Sequence, residues 1–197
     1  MARLDDAARR LHATLLVVGP RRAGKSALLR ALRDRLPRAE PTDTAGAPLG
    51  EPLLDWLPLD LGTVGEWQVR LDLYAIAGTP DHEATRRLLV GDADGLLIVA
   101  DSQAVRLDDN QALLGALTEL LTGADGEPRD VPRVFCYAKQ DLPSELVVTP
   151  EALDRALNPA GAPSVGADLL RGRGAVDALH ALVRLVLRRH ARPPAGS

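Results

Sequence analysis

Cysteine is nearly absent from this chain. The one thiol, Cys136 in "RVFCYA", cannot form a disulfide within the chain, and a reducing compartment, the cytoplasm, is the natural setting. A small buried core residue is the expected role for it. Net charge is also small, −3 with the histidines neutral, so no global field gathers nucleic acid or anionic lipid. A dedicated nucleic-acid partner is therefore not expected. No apolar run is long enough to span a bilayer, and "MARLDDAARR" lacks the apolar core of a signal peptide. Residue 2 is Ala and the tail "ARPPAGS" has no cysteine, so neither myristoylation nor prenylation is expected, nor any direct membrane anchor. Internal repeats and low-complexity tracts are missing as well.

What is present is bulk and pattern. At 197 residues and 46% hydrophobic, the chain suits one domain over 1–197, with short flexible ends near 1–10 and 191–197. "ATLLVV" reads as a buried strand, and Ala27 to Leu36 as a helix that stops before Pro37. "PRAEPTDTAGAPLGEP" has the composition of a long surface loop with a switching role. "LPLDLG" and "EWQVRLDLYAIA" alternate apolar and polar residues on either side of "TVGE", the signature of an antiparallel hairpin. "GLLIVAD" and "RVFCYA" are continuous apolar runs, as in strands covered on both faces. Helices fit at Ala84 to Val90 and at Arg106 to Leu121. The segment "AVDALHALVRLVLRRH" places Val176, Leu179, Val183, Val186 and Leu187 on one helical face, which a closing helix would lay on the sheet. The expected fold is α/β, a three-layer sandwich on a mostly parallel sheet with one antiparallel hairpin.

Chemistry concentrates in "GPRRAGKS", Gly19 to Ser26, which satisfies G-x-x-x-x-G-K-[ST] between a strand and a helix. In such a P-loop the backbone N–H groups from Arg22 through Ala23, Gly24, Lys25 and Ser26 to Ala27 turn inward and surround phosphates. Lys25 adds charge at the β- and γ-phosphates, and Ser26 offers a hydroxyl to Mg²⁺. "AKQD", Ala138 to Asp141, follows the "RVFCYA" strand at its carboxyl end, where open α/β sheets bind ligands. Asp141 there can accept from the two donors on guanine's edge, with the stem of Lys139 over the base.

From "LLVVGPRRAGKS" through the closing helix the chain resembles the Ras-like small GTPases, in particular the bacterial mutual gliding-motility GTPases of the MglA type. "DWLPLDLG", "LDLYAIAGTP", "GLLIVADS", "DVPRVFCYAKQDLP" and "GRGAV" carry that resemblance, in order. It implies the P-loop NTPase fold and a GTP/GDP switch with Mg²⁺, acting in cell polarity or motility through a regulatory or effector protein. That partner, a small roadblock-type dimer in the resemblance, would dock near residues 57–90, with Trp67 either an exposed anchor or a closer of the core. By the same resemblance Gly78 gives its N–H to the γ-phosphate, and main chain around Ala167 reaches guanine's oxygen.

The departures are specific. Ala138 stands where the family motif has the Asn that ties the base loop to the P-loop, and Thr79, before Pro80, replaces the water-orienting Gln. "GAPLGEP" contains neither the switch Thr nor the loop Arg, with Thr42 and Thr44 only upstream. Ala75 replaces the acidic residue behind Mg²⁺, leaving Asp60 as metal support or as an exposed strand residue. Two functions stay open: a slow GTPase switch that needs a partner, and a degenerate, non-hydrolysing scaffold for protein contacts. A P-loop kinase for a small metabolite fits "AKQD" poorly. No catalytic side chain is assigned; Arg21 is expected to obstruct attacking water rather than assist it, and Arg22 to face solvent.

Overall fold

The computed structural model describes residues 3–5, 8–39, 54–76, 89–122, 126 and 129–190. Among these, seven strands make one sheet: β1 (Arg3–Asp5), β2 (Arg10–Val18), β3 (Leu54–Val64), β4 (Trp67–Ile76), β5 (Gly95–Asp101), β6 (Arg133–Ala138) and β7 (Ser164–Ala167). Their spatial order is β3-β4-β2-β5-β6-β7, with β1 beside β2. The β2–β4, β2–β5, β5–β6 and β6–β7 pairs are parallel, whereas β3–β4 and β1–β2 are antiparallel.

Helices α1 (Lys25–Arg33), α2 (Leu107–Leu121), α3 (Pro150–Leu157) and α4 (Ala175–His190) cover the sheet. Leu28 and Leu32 of α1 and Leu179, Leu182 and Val183 of α4 pack with Leu15, Val17, Leu97 and Val99 on one face. Leu117 and Leu121 of α2 and Leu153 and Leu157 of α3 pack with Leu16, Ile98 and Phe135 on the other. Both faces of β5 are thereby buried, as its unbroken apolar run requires. The three-layer α/β sandwich is the fold expected.

The hairpin turns at Gly65 and Glu66, inside "TVGE", and a bulge between Asp60 and Thr63 takes up Gly62 at φ 62°. The first helix begins at Lys25 rather than Ala27, because the P-loop passes straight into its first turn. Strand β2 starts three residues before the "ATLLVV" run. There β1 pairs with Arg10, Leu11 and His12, where β5, which joins β2 only from Leu15, leaves the edge open. Residues 89–92 are helical; the rest of the helix expected from Ala84 lies outside the described residues, as do 1–2, 6–7 and 191–197, while Arg3–Asp5 at the N-terminal end form β1.

Candidate nucleotide-binding site

The carboxyl ends of β2, β5, β6 and β7 converge on one rim of the sheet, and the P-loop, "AKQD" and Ala167 meet there. Parallel pairing forces this meeting: Ala138 and Ala167 are register partners, and Gln140 N donates to the Ala167 carbonyl at 3.1 Å. Gly19 leaves β2 beneath β5, where a Cβ would stand 2.3 Å from the Val99 carbonyl oxygen. Gly24 has φ 121°, a conformation that side chains resist. Arg22 turns at φ 64°, and Ala23 N donates back to the Pro20 carbonyl at 3.2 Å. The loop is thus closed on itself.

Lys25 Nζ donates to the carbonyls of Gly19 at 2.7 Å and Pro20 at 3.0 Å, which keeps the ammonium inside the loop's curve. No side-chain cap hydrogen bond closes the start of α1, so an anion there would meet first-turn amides and the positive helix end. Ser26 Oγ donates to Asp55 Oδ2 at 3.0 Å. These are hard oxygen donors beside a phosphate-sized loop, a set that suits Mg²⁺ completed by phosphate oxygens and water. Among the described residues no group of three or more His, Cys, Asp or Glu could hold a metal by itself.

Asp55 carries no motif of its own in the sequence. It pairs directly across the hairpin from Ala75, so the two share a face of the sheet, and a carboxylate stands one strand beside the place where Ala75 offers none. The signal was there in principle: alternation puts Asp55 and Ala75 on the same face once hairpin register is known. Asp60, five residues further along β3, lies on the opposite face. It accepts from Gly62 N at 2.9 Å and pairs with Arg70 at 3.4 Å. The exposed-strand reading of Asp60 therefore holds, and its metal-supporting one does not.

On the base side, Lys139 has φ 69° and donates to Asp101 Oδ2 at 2.6 Å, Asp101 being 1% exposed. Asp141 is exposed beside this turn. Gln140 Nε2 donates to Ser102 Oγ at 2.8 Å and to the Val148 carbonyl at 3.0 Å, anchoring the turn from below. Ala167 is buried. Beyond it Asp168 accepts from the amide and guanidinium of Arg171; burial alone would raise this carboxyl, yet those bonds hold it below the ordinary carboxylate range. Arg21 and Arg22 are both exposed and line, with Arg106 and Asp109, a cleft of about 610 Å³ between the P-loop and α2. Trp67 is half-buried, packed against the core and with Arg9 5.8 Å above its ring, which favours the closer of the core over a freely exposed anchor. Gly78, Thr79, Pro80, Thr42, Thr44 and the 46–52 stretch lie outside the described residues.

No known family model matches the chain. The mutual gliding-motility protein MglA of Myxococcus xanthus (strain DK1622) is 36% identical over 133 residues, which cover 68% of this chain and 67% of that protein. With the sheet order, the P-loop geometry and that identity together, the chain belongs, as a divergent member, to the Ras-like small GTPases of the mutual gliding-motility type.

Proposed function

We propose that this protein is a guanine-nucleotide-binding switch that hydrolyses GTP slowly and acts through partner proteins in cell polarity or motility. One observation carries the reading: a single rim of the sheet gathers the closed P-loop, the Lys139–Asp141 turn and the Ala167 main chain. In this reading the amides from Arg22 to Ala27 and the Lys25 ammonium take the phosphates. Asp141 reads the two donors of guanine, and the Ala167 main chain its oxygen. Gly78 serves the γ-phosphate. Ser26 Oγ would hold Mg²⁺, and Asp55 would supply beside it the carboxylate that Ala75 lacks. When bound, the ion neutralises charge on the phosphate oxygens. The relative's name places it in gliding motility, and a similar setting is proposed here, in the cytoplasm, with a regulator or effector docking around residues 57–90. A roadblock-type dimer is the partner proposed.

Competition tests the nucleotide. Labelled GDP on the purified protein should yield to GTP far more readily than to ATP; equal displacement by ATP would sink the guanine assignment. Lys25→Ala should abolish binding. Asp141→Asn should erode the preference for guanine, because an amide offers one acceptor oxygen where the base presents two donors.

Hydrolysis is the second question, since a non-hydrolysing scaffold uses the same pocket. Slow turnover follows from Thr79 in place of Gln and from "GAPLGEP" without Arg, because phosphoryl transfer depends on positioned water and compensating charge. Single-turnover rates with Arg21→Gly separate the cases. A faster rate supports obstruction by Arg21, and a large loss at unchanged affinity shows that its guanidinium assists. No hydrolysis at all, with or without a partner, favours the scaffold.

A further inference from the structure

Ala138 ends β6 with a methyl group at the place where the resemblance puts a tying Asn. It packs against the P-loop, a Cβ built at Gly24 lying 3.5 Å from its own, but it donates nothing to it. The tie comes from elsewhere. Arg106, at the end of the 3-10 turn Ala104–Arg106 that leads into α2, donates from Nη2 to the Arg21 carbonyl at 2.9 Å. Its Nη1 lies 2.6 Å from Asp109 Oδ2, and its Nε 3.8 Å from Asp101 Oδ2. The same Asp101 oxygen accepts from Lys139 Nζ at 2.6 Å.

Asp101 is itself held. Its carboxylate accepts from Gln103 N and Gln103 Nε2. Its backbone is paired both ways with the buried Asn110 side chain, Asp101 N donating at 3.0 Å and the Asp101 carbonyl accepting at 2.8 Å. One buried anion therefore links the two cations, and the line Lys139, Asp101, Arg106, Arg21 carbonyl joins the base-side turn to the phosphate loop. Charge-assisted bonds of this kind are stronger than the neutral amide contact an Asn would make.

The geometry of the peptide plane gives the contact its meaning. The Arg21 carbonyl and the Arg22 N–H belong to one planar trans peptide and point in opposite directions. Drawing the carbonyl toward Arg106 turns the Arg22 N–H away from Arg106, and the peptide so held leads into Arg22 at its left-handed φ of 64°. We propose that Arg106, steered by Asp101 and Asp109, is a positioning residue for the nucleotide that restores the tie Ala138 cannot make; the proposal rests on the guanine-nucleotide reading above.

The test uses the full chain and N-methylanthraniloyl-GDP with Mg²⁺, read as dissociation rate and equilibrium affinity. Arg106→Met keeps the stem and removes the donors, and should release the nucleotide about tenfold faster, as expected for one lost charge-assisted bond. The thermal midpoint of the nucleotide-free protein should barely move. Arg106→Lys should recover part of the loss, and Ala138→Asn added to Arg106→Met should recover more than the same substitution adds to wild type. Unchanged release by Arg106→Met overturns the proposal while the guanine reading stands. A lowered nucleotide-free midpoint, with no rescue by Arg106→Lys or by the added Ala138→Asn, also overturns it, since that marks a folding role. Wild type that fails to bind the probe overturns both readings at once.

Discussion

Asp55 and Ala75 face each other across the hairpin, and the pair shows how a carboxylate can move one strand sideways and still reach the same place. Cross-strand partners share a face, so the Ser26 hydroxyl that would have met an acid on β4 meets one on β3 instead, at 3.0 Å. Groups that orient a metal's first ligands typically change affinity by about tenfold to a hundredfold when removed. Asp55→Ala is accordingly expected to raise the Mg²⁺ concentration needed for half-maximal GDP retention by about tenfold, with little change in GDP binding measured in EDTA. Equal loss in both conditions would mean that Asp55 supports the loop rather than the ion. Cys136 gives a simpler residue-scale expectation. Fully buried, with burial pushing its thiol up to about 12, it should resist thiol reagents at neutral pH and react only on unfolding.

Elements divide by how much of their pattern is local. The closing helix α4 was legible in its bounds and in most of its face: Leu179, Val183 and Val186 recur at helical spacing and bury against the sheet, whereas Val176 and Leu187 of the expected face are only partly buried and Leu182, which the pattern did not single out, is fully buried. The parallel core strands β5 and β6 were legible as unbroken apolar runs. Three elements were not: β1 with three residues, β7 with four and α3 with eight are too short to show a period, and tertiary contacts settle them. Of the site, the P-loop and the base turn stood out as motifs, since backbone chemistry there demands particular residues at fixed spacing. Asp55, Asp101 and Arg106 did not, because pairing register and a 3-10 turn bring them in. Asp154 is the clearest tertiary knot, accepting from Tyr137 of β6 at 2.7 Å, from Asn158 at 2.9 Å and from Ser164 of β7 at 2.9 Å. Burial would raise its carboxyl, but these donors hold it below its ordinary value. A depressed folded value stabilises fully above the unfolded one, about 3.9, and that stability is lost as pH falls through the folded value. Urea midpoints should therefore drop as pH falls below about 4, and more steeply in wild type than in Asp154→Asn; parallel profiles would show that Asp154 contributes nothing to acid sensitivity.

At the scale of the whole molecule, the site is assembled from four neighbouring strand ends of one sheet, with α1 and α4 sharing one apolar cluster beneath it. Among the described residues, the strands that carry the rim are paired with one another through the core. The molecule should consequently melt in a single transition, and nucleotide should move that transition as a unit. A ligand present at a hundred times its dissociation constant stabilises by about 2.7 kcal/mol. For a domain of this size that corresponds to a midpoint raised by roughly 5 to 11 °C. GDP with Mg²⁺ should produce this shift, ATP should not, and Lys25→Ala should melt cooperatively but without response to GDP. Differential scanning calorimetry reads all three. Two transitions, only one of them sensitive to GDP, would show that the rim and the remainder of the sheet unfold separately, whereas one transition indifferent to GDP at millimolar concentration would remove the nucleotide from the account.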